Sequence, residues 1–212
     1  MKKLVLSAAI LAVLTGGMST AVSFATAVPA SACTATSDKS TTLAAKLPQV
    51  NPGDKGRHVL ALQMALHFEG YTYIYGTGTY AKETLRAVKD FQSKHHIKAS
   101  GIVGSKTWQA LVGAKSKATT SGSLSHVKTF TLQPGEKNRD KVLQLVNMLE
   151  RIFPYADHGQ LADFNGDSYI PELQKMVRDF QKRAGIKASG IVGPKTVAAM
   201  NEVIAVSGQW GC

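Results

Sequence analysis

The apolar residues of this chain recur at the spacing of short amphipathic helices. Val59, Leu62 and Leu66 stand at i, i+3 and i+7, which places one apolar stripe along a helix. Two further helical faces follow in the same region, carried by Tyr80, Thr84, Val88 and Phe91 and then by Trp108 and Leu111. The last of these helices is predicted to begin after Gly104. The pattern therefore predicts a unit of three short helices.

This unit occurs twice. Residues 90–107 and 179–196 match at 13 of 18 positions with a constant offset of 89. A repeat of this length indicates duplicated small domains rather than one large core. The apolar pattern of the second copy is carried by Val142, Leu145, Leu149, Tyr169, Leu173, Val177, Phe180, Val197 and Met200. Its last helix is predicted to begin after Gly193, because Pro194 is tolerated in a first turn.

Segments rich in Ser, Thr, Ala and Lys separate the copies and are typical of flexible linkers. The predicted fold is all-α, with two tandem small three-helix domains joined by a flexible linker. The predicted order is a signal peptide (1–32), an N-terminal linker (33–46), a first copy (47–113), a linker (114–128), a second copy (129–204) and a tail (205–212).

The N-terminal segment has the pattern of an export signal. Lys2 and Lys3 precede the apolar run Leu4–Leu14, and small-residue cleavage sites end at Ala27 and at Ala32. Cleavage after Ala32 is favoured because Pro29 breaks a helix just upstream. An uncleaved anchor and lipidation of Cys33 remain alternatives, and either would bring the protein to a membrane. The predicted location is otherwise secreted, periplasmic or in the cell wall.

The charge of the chain is strongly positive. The formal net charge of +11 becomes +9 without Lys2 and Lys3. A basic protein is attracted to anionic surfaces, and nucleic acid is one candidate. An exported protein is more consistent with an anionic wall polymer, so nucleic acid is not predicted as a partner.

The repeated residues resemble those of the bacterial type 1 peptidoglycan-binding domain family, a three-helix module. In the first copy they are Gly56, Val59, Leu62, Gln63, Leu66, Gly78, Tyr80, Thr84, Ala87, Val88, Phe91, Gln92, Gly101, Gly104 and Thr107. In the second copy they are Val142, Leu145, Leu149, Tyr169, Val177, Phe180, Gln181, Gly190, Gly193 and Thr196. The resemblance implies a three-helix fold and peptidoglycan as the ligand.

The chain departs from the family pattern in both copies. Ser100 and Ser189 stand where the family has Asp. In the second copy, Val146 replaces the glutamine of the first helix, and Leu173 and Met176 replace Thr and Ala. These changes leave the fold prediction intact but weaken any ligand contact carried over to the second copy.

Candidate ligand-binding residues lie in a loop and at two glutamines. Tyr71, Tyr73 and Tyr75 alternate, so they share one face if the segment is extended. Such a face suits sugar C–H surfaces, although one or two of these rings could instead close the core. Gln92 and Gln181 either contact ligand or hold loop backbone.

The sequence contains no recognised catalytic or zinc-binding pattern, and no cofactor is predicted. Asp163, Asn165 and Asp167 have the 1, 3, 5 spacing of a calcium loop. Ser168 and Gln174, however, occupy positions that need Gly and a bidentate acid. An exposed acidic turn is favoured, with a weak calcium site as the alternative.

Together these observations predict an exported, non-enzymatic protein that binds peptidoglycan through two weak sites, since the residues outside the copies are too few for a catalytic domain. A targeting or regulatory subunit of a wall hydrolase is one alternative. A structural scaffold that has lost glycan binding is another.

The two cysteines predict a disulfide. Cys33 and Cys212 are the only cysteines, and an exported chain with one pair most simply joins them. The ring would span 180 residues, which the loop-entropy relation values at up to about 5 kcal/mol. Intact mass of the exported protein with thiol alkylation checks this bond. An alkylatable Cys212, a lipid-sized mass increase or a covalent dimer would contradict it.

Overall fold

The computed structural model describes residues 33–34, 43–116, 120–121, 127–152 and 166–207. The first copy contains helices α1 (Arg57–Phe68), α2 (Lys82–Lys94) and α3 (Ser105–Ser116). The second copy contains α4 (Arg139–Ile152), α5 (Pro171–Arg183) and α6 (Pro194–Ser207). The prediction of an all-α protein with two three-helix copies is confirmed. A two-residue parallel pairing also joins β1 (Cys33–Thr34) to β2 (Thr120–Ser121).

A short antiparallel backbone bridge closes each copy. In the first copy, Val50 and Val103 exchange N–H···O bonds of 3.0 and 2.9 Å. The buried Tyr80 hydroxyl adds a second tie by donating to the Gly101 carbonyl at 2.6 Å. The second copy repeats both ties with Leu132, Val192, Tyr169 and Gly190. The repeat therefore extends from sequence to hydrogen bonding.

The predicted apolar stripes form the core. Buried residues of the first copy include Val59, Leu62, Leu66, Val88, Phe91, Trp108 and Leu111. Those of the second copy include Val142, Leu145, Leu149, Val177, Phe180, Val197 and Met200. The Trp108 indole N–H donates to the Pro48 carbonyl at 2.8 Å, which satisfies the polar atom of a fully buried ring. Proline begins α6 as predicted.

The two copies share an extensive interface that the sequence analysis did not predict. Helix α1 is buried at every position from Val59 to Leu66, so it lies between two cores rather than on one. It packs most extensively against α6, most of whose residues are buried. Small residues on both helices, such as Ala61, Ala65 and Ala199, are suited to close helix approach. Both copies lie in one compact unit.

Backbone contacts reinforce this interface beside the helix pair. The Arg57 N–H donates to the Ala184 carbonyl at 3.1 Å. The Arg183 guanidinium donates back to the Gly76 carbonyl at 2.8 Å. Gly78, at φ 69°, lies so close to Arg183 that a Cβ on this glycine would overlap the Arg183 carbonyl oxygen. The end of α5 therefore fits against a glycine-lined surface of the first copy.

An ion-pair cluster also joins the copies. Glu202 on α6 accepts a hydrogen bond from Arg57 Nε at 2.9 Å through Oε2, and His58 Nε2 lies 2.9 Å from its Oε1. Oε1 is buried and accepts no hydrogen bond of good geometry, so the nearby His58 ring nitrogen is the polar group that faces it. Burial by itself would raise the pKa of Glu202, but the contacts with His58 and Arg57 outweigh burial and lower this pKa.

Several residues predicted to be linker are part of the fold. Residues 43–46 are helical, and Ala44 is buried. Asn201 on α6 donates to the Val127 carbonyl at 2.9 Å and accepts from the Val127 N–H at 3.3 Å. Composition misses such positions because a single buried residue hardly changes the composition of a polar segment.

In the described part of the chain, no helix is long and apolar enough to cross a membrane.

We expect Gly78→Ala to destabilise the protein more than Gly53→Ala. Both glycines have positive φ, so both substitutions carry backbone strain of about 1–2 kcal/mol. A Cβ added at Gly53 meets open space, whereas a Cβ added at Gly78 must also displace Arg183. The total loss at Gly78 should reach about 3 kcal/mol. Urea unfolding of both variants measures the difference between their free energies of unfolding. Equal losses of stability would contradict the close contact between Gly78 and Arg183.

We also expect the interface to weaken in acid. The pKa of Glu202 is lower in the folded protein than its ordinary value of 4.5. A carboxyl group with a lowered folded pKa contributes stability that is complete above its unfolded pKa and is lost as pH falls through the folded value. The contribution should therefore decline below about pH 4.5. Thermal unfolding of wild type and Glu202→Gln between pH 3 and pH 7 checks this, since the difference between them should shrink in acid. A difference that is constant with pH would refute the assignment.

Candidate functional site

The tyrosine loop of the first copy is a turn rather than an extended segment. The Ile74 N–H donates to the Tyr71 carbonyl at 2.8 Å, which folds the chain back and buries Ile74. The three tyrosines consequently do not share one face. Tyr71 is only 7% exposed, whereas Tyr73 is 40% and Tyr75 is 62% exposed. The condition for a shared face, an extended backbone, is not met, and the burial of Tyr71 agrees with the other interpretation, in which one or two of the rings close the core.

Tyr71 closes the edge of the core and is held by α2. Its hydroxyl donates to Asp90 Oδ2 at 2.7 Å, and Lys94 Nζ lies 2.7 Å from the same oxygen. Burial, followed by the hydrogen bond to Asp90, raises the pKa of Tyr71. Hydrogen bonds from Lys94 and from Tyr71 lower the pKa of Asp90. Tyr71 therefore positions the loop.

Tyr73 and Tyr75 remain as the exposed aromatic surface. The Arg86 guanidinium carbon lies 4.7 Å from the centre of the Tyr73 ring, and the Tyr71 and Tyr73 rings meet edge to face at 6.3 Å. Arg86 is also paired with Glu83 at 3.0 Å. An exposed ring beside a guanidinium offers a stacking face and hydrogen-bond donors, a combination that suits a sugar ring.

Gln92 and Gln181 lie in the interior, each about 1% exposed. Gln92 accepts the Gly101 N–H at 2.9 Å and donates to the Ile102 carbonyl at 2.8 Å and to Thr107 Oγ1 at 3.0 Å. Gln181 makes the same three bonds with Gly190, Ile191 and Thr196. Buried and bonded in this way, these amides cannot contact a ligand. They hold the loop backbone, which is one of the two roles that the sequence left open.

The loops that these glutamines hold present the same exposed residues in both copies. Lys98, Ala99, Ser100 and Ile102 of the first copy correspond to Lys187, Ala188, Ser189 and Ile191 of the second. Ile102 is 42% exposed and Ile191 is 37% exposed. These loops lie within the repeated segments 90–107 and 179–196, to which the sequence pattern assigned no role beyond the repeat. The available signal was the identity of these loops in both copies, which includes exposed positions that the fold does not require.

The first helices of the two copies differ at one position, which is Gln63 in the first copy and Val146 in the second. Gln63 is buried and donates to Thr77, Thr79 and Thr84 while accepting the Gly78 N–H at 2.8 Å. In the second copy, Val146 and Leu173 take the places of Gln63 and Thr84. Replacing both partners of a buried hydrogen bond by apolar groups is close to neutral, whereas replacing one is costly. The departures noted in the sequence therefore compensate each other.

The candidate calcium loop is described only at its end. Asp163 and Asn165 lie outside the described residues. Asp167 is paired with Arg139 at 2.8 Å, and the Gln174 amide donates to the Tyr169 carbonyl at 3.2 Å. Within the described residues, no three His, Cys, Asp or Glu side chains are grouped so that they could hold a metal ion.

Cys33 lies in β1, but Cys212 is outside the described residues, so the disulfide stays a prediction.

The chain matches the family described as "Putative peptidoglycan binding domain" at residues 55–111 and 138–200. These segments make up more than half of the chain and coincide with the two three-helix copies. The chain belongs to this family, as the resemblance of its repeated residues predicted. Peptidoglycan is the ligand class that this membership implies.

Two proteins of Bacillus licheniformis are similar to most of this chain. One, named "Probable N-acetylmuramoyl-L-alanine amidase", is 36% identical over 157 residues, which cover 70% of this chain and 43% of the relative. The other, named "N-acetylmuramoyl-L-alanine amidase CwlL", is 32% identical over 164 residues, which cover 72% of this chain and 45% of the relative. The chain thus spans less than half the length of these relatives.

These relatives correct the prediction of a non-enzymatic wall-binding protein. Both are named as amidases, so the similarity connects this chain with wall hydrolysis. The prediction relied on missing catalytic patterns, but the residues of a binding fold do not report on the chemistry with which that fold is combined. The alternative that linked the chain to a wall hydrolase agrees better with these relatives.

Proposed function

We propose that this chain acts in peptidoglycan hydrolysis of the N-acetylmuramoyl-L-alanine amidase class, with its two copies as the part that binds the wall. The observation that carries the proposal is the similarity to two amidases over about 70% of the chain, combined with the family match of both copies. Binding to an insoluble substrate raises the local concentration of a hydrolase at its scissile bonds. A location outside the cytoplasm, at the cell wall, follows from such a role.

The exposed surface of the first copy supports contact with the glycan. Tyr73 and Tyr75 are exposed aromatic residues next to Arg86, on a loop fixed by the buried Tyr71 and Ile74. A loop fixed in this way loses little conformational entropy on binding. The net charge of +4 for residues 47–113 adds attraction to an anionic wall.

We expect the chain to direct an amidase to the wall. The full chain is fused to an amidase catalytic domain from which the wall-binding repeats have been removed, and clearance of purified sacculi is followed by turbidity. The fusion should clear sacculi about tenfold faster than the catalytic domain alone, because weak docking supplies roughly millimolar effective concentration. Cleavage of a small soluble muropeptide should be unchanged, since docking does not alter the catalytic step.

The tyrosines provide the matched variants for this experiment. Tyr73→Ala with Tyr75→Ala removes exposed rings and should reduce sacculus binding several-fold, while the protein remains folded by thermal unfolding. Tyr71→Phe removes the hydrogen bond to Asp90 and should lower stability by about 1 kcal/mol with little effect on binding. If the fusion cleared sacculi no faster than the catalytic domain alone, the proposed role would be wrong.

A further inference from the structure

A charged cleft of about 510 Å³ lies where the two copies meet. Its walls come from Arg57 at the start of α1 in the first copy and, in the second copy, from the loop at residues 185–187 and from α6. The volume falls within the range of small-molecule and peptide sites. The second copy therefore supplies most of the cleft, and Arg57 of the first copy closes one side of it.

The charges in the cleft favour an anion. Arg57, Lys187 and Lys195 line it together with one carboxylate, that of Glu202. Arg57 binds Glu202 through Nε, and in the described part of the chain no protein acceptor is bonded to its two terminal nitrogens. Glu202 thus orients the guanidinium without using its outer donors. Lys187 and Lys195 are exposed, and neither forms an ion pair with a described residue.

The remaining lining is apolar. Ile186, Ala198 and Ala199 lie beside the cations in the same cleft. Guanidinium donors match the geometry of a carboxylate, and the alkyl lining suits a small apolar side chain next to it. A phosphodiester polymer carries the negative charge but has no alkyl side chain to place there.

We propose that this cleft binds the C-terminal carboxylate of a short peptide with small alkyl side chains. Arg57 and the two lysines contact the carboxylate, and Ile186 and the exposed Ala198 contact the adjacent side chain. The proposal goes beyond a general affinity for the wall by naming the group recognised. It depends on the proposed function only for the source of the peptide, which is the peptide portion of peptidoglycan.

The repeat supplies a matched control. Lys98 and Lys106 occupy in the first copy the positions that Lys187 and Lys195 occupy in the second, and all four are exposed. Lys187→Ala with Lys195→Ala therefore removes the same charge as Lys98→Ala with Lys106→Ala, but only the former pair lines the cleft. A general electrostatic effect would weaken binding equally in both double variants.

The test is a titration of the full chain with acetyl-dialanine, in its D and L forms, followed by amide chemical shifts. The wild type should bind the free acid at least tenfold more tightly than the C-terminal amide, with shifts centred on residues 185–187 and 195–199. The Lys187 and Lys195 double variant should lose about tenfold in affinity, and the Lys98 and Lys106 variant should stay within twofold of wild type. Thermal unfolding of both variants confirms that each remains folded.

Three results would overturn the proposal: equal losses in the two double variants, equal binding of acid and amide, or binding of poly(glycerol phosphate) but not of the peptide. Sedimentation of the wild type with sacculi is measured in parallel. If sacculi are bound but the peptide titration is flat, the cleft assignment fails and the proposed function stands. If the peptide binds but sacculi do not, the proposed function fails and the cleft assignment stands.

Discussion

The packing of α1 against α6 is the interaction on which the rest of the structure depends. A three-helix unit of this size buries too little surface to be more than marginally stable by itself. Helix α1 is buried on every side from Val59 to Leu66, so its side chains contribute to the cores of both copies. The contacts of Arg57 with Ala184 and Glu202 add polar ties along the same interface. The duplication therefore produced one cooperative body, with the exposed loops of both copies held in fixed relation.

The two copies share a fold but have diverged around this interface. Gly78 in the first copy leaves room for the backbone of Arg183, whereas the matching position in the second copy is Asp167, exposed and paired with Arg139. The polar cluster around Gln63 has likewise become apolar in the second copy. What both copies retain is the buried glutamine that shapes an exposed loop, Gln92 and Gln181. The loop shape is therefore common to both copies although its surroundings differ.

The polar and aromatic side chains that hold the loops are inside, and those left exposed form a separate set. Tyr71 and the buried glutamines satisfy backbone and carboxylate partners inside, and the groups left outside are Tyr73, Tyr75, lysines and two isoleucines. A wall polymer contains both sugar rings and charged peptides. The exposed tyrosines suit the sugar rings, and the cationic cleft suits the carboxylates of the peptides.

The sequence by itself determined the helices, their duplication and the family, because helical periodicity and a repeated turn pattern are local properties of the chain. The start of α6 at Pro194 and the buried stripe of Val59, Leu62 and Leu66 followed directly. Only the tertiary structure decided which tyrosines are exposed and that Gln92 and Gln181 are internal, since a turn at Ile74 and loop closure set these orientations. The cleft at Arg57 and Glu202 was likewise beyond sequence. It depends on contacts between residues 145 positions apart, and the local pattern of apolar and polar residues does not predict such long-range packing.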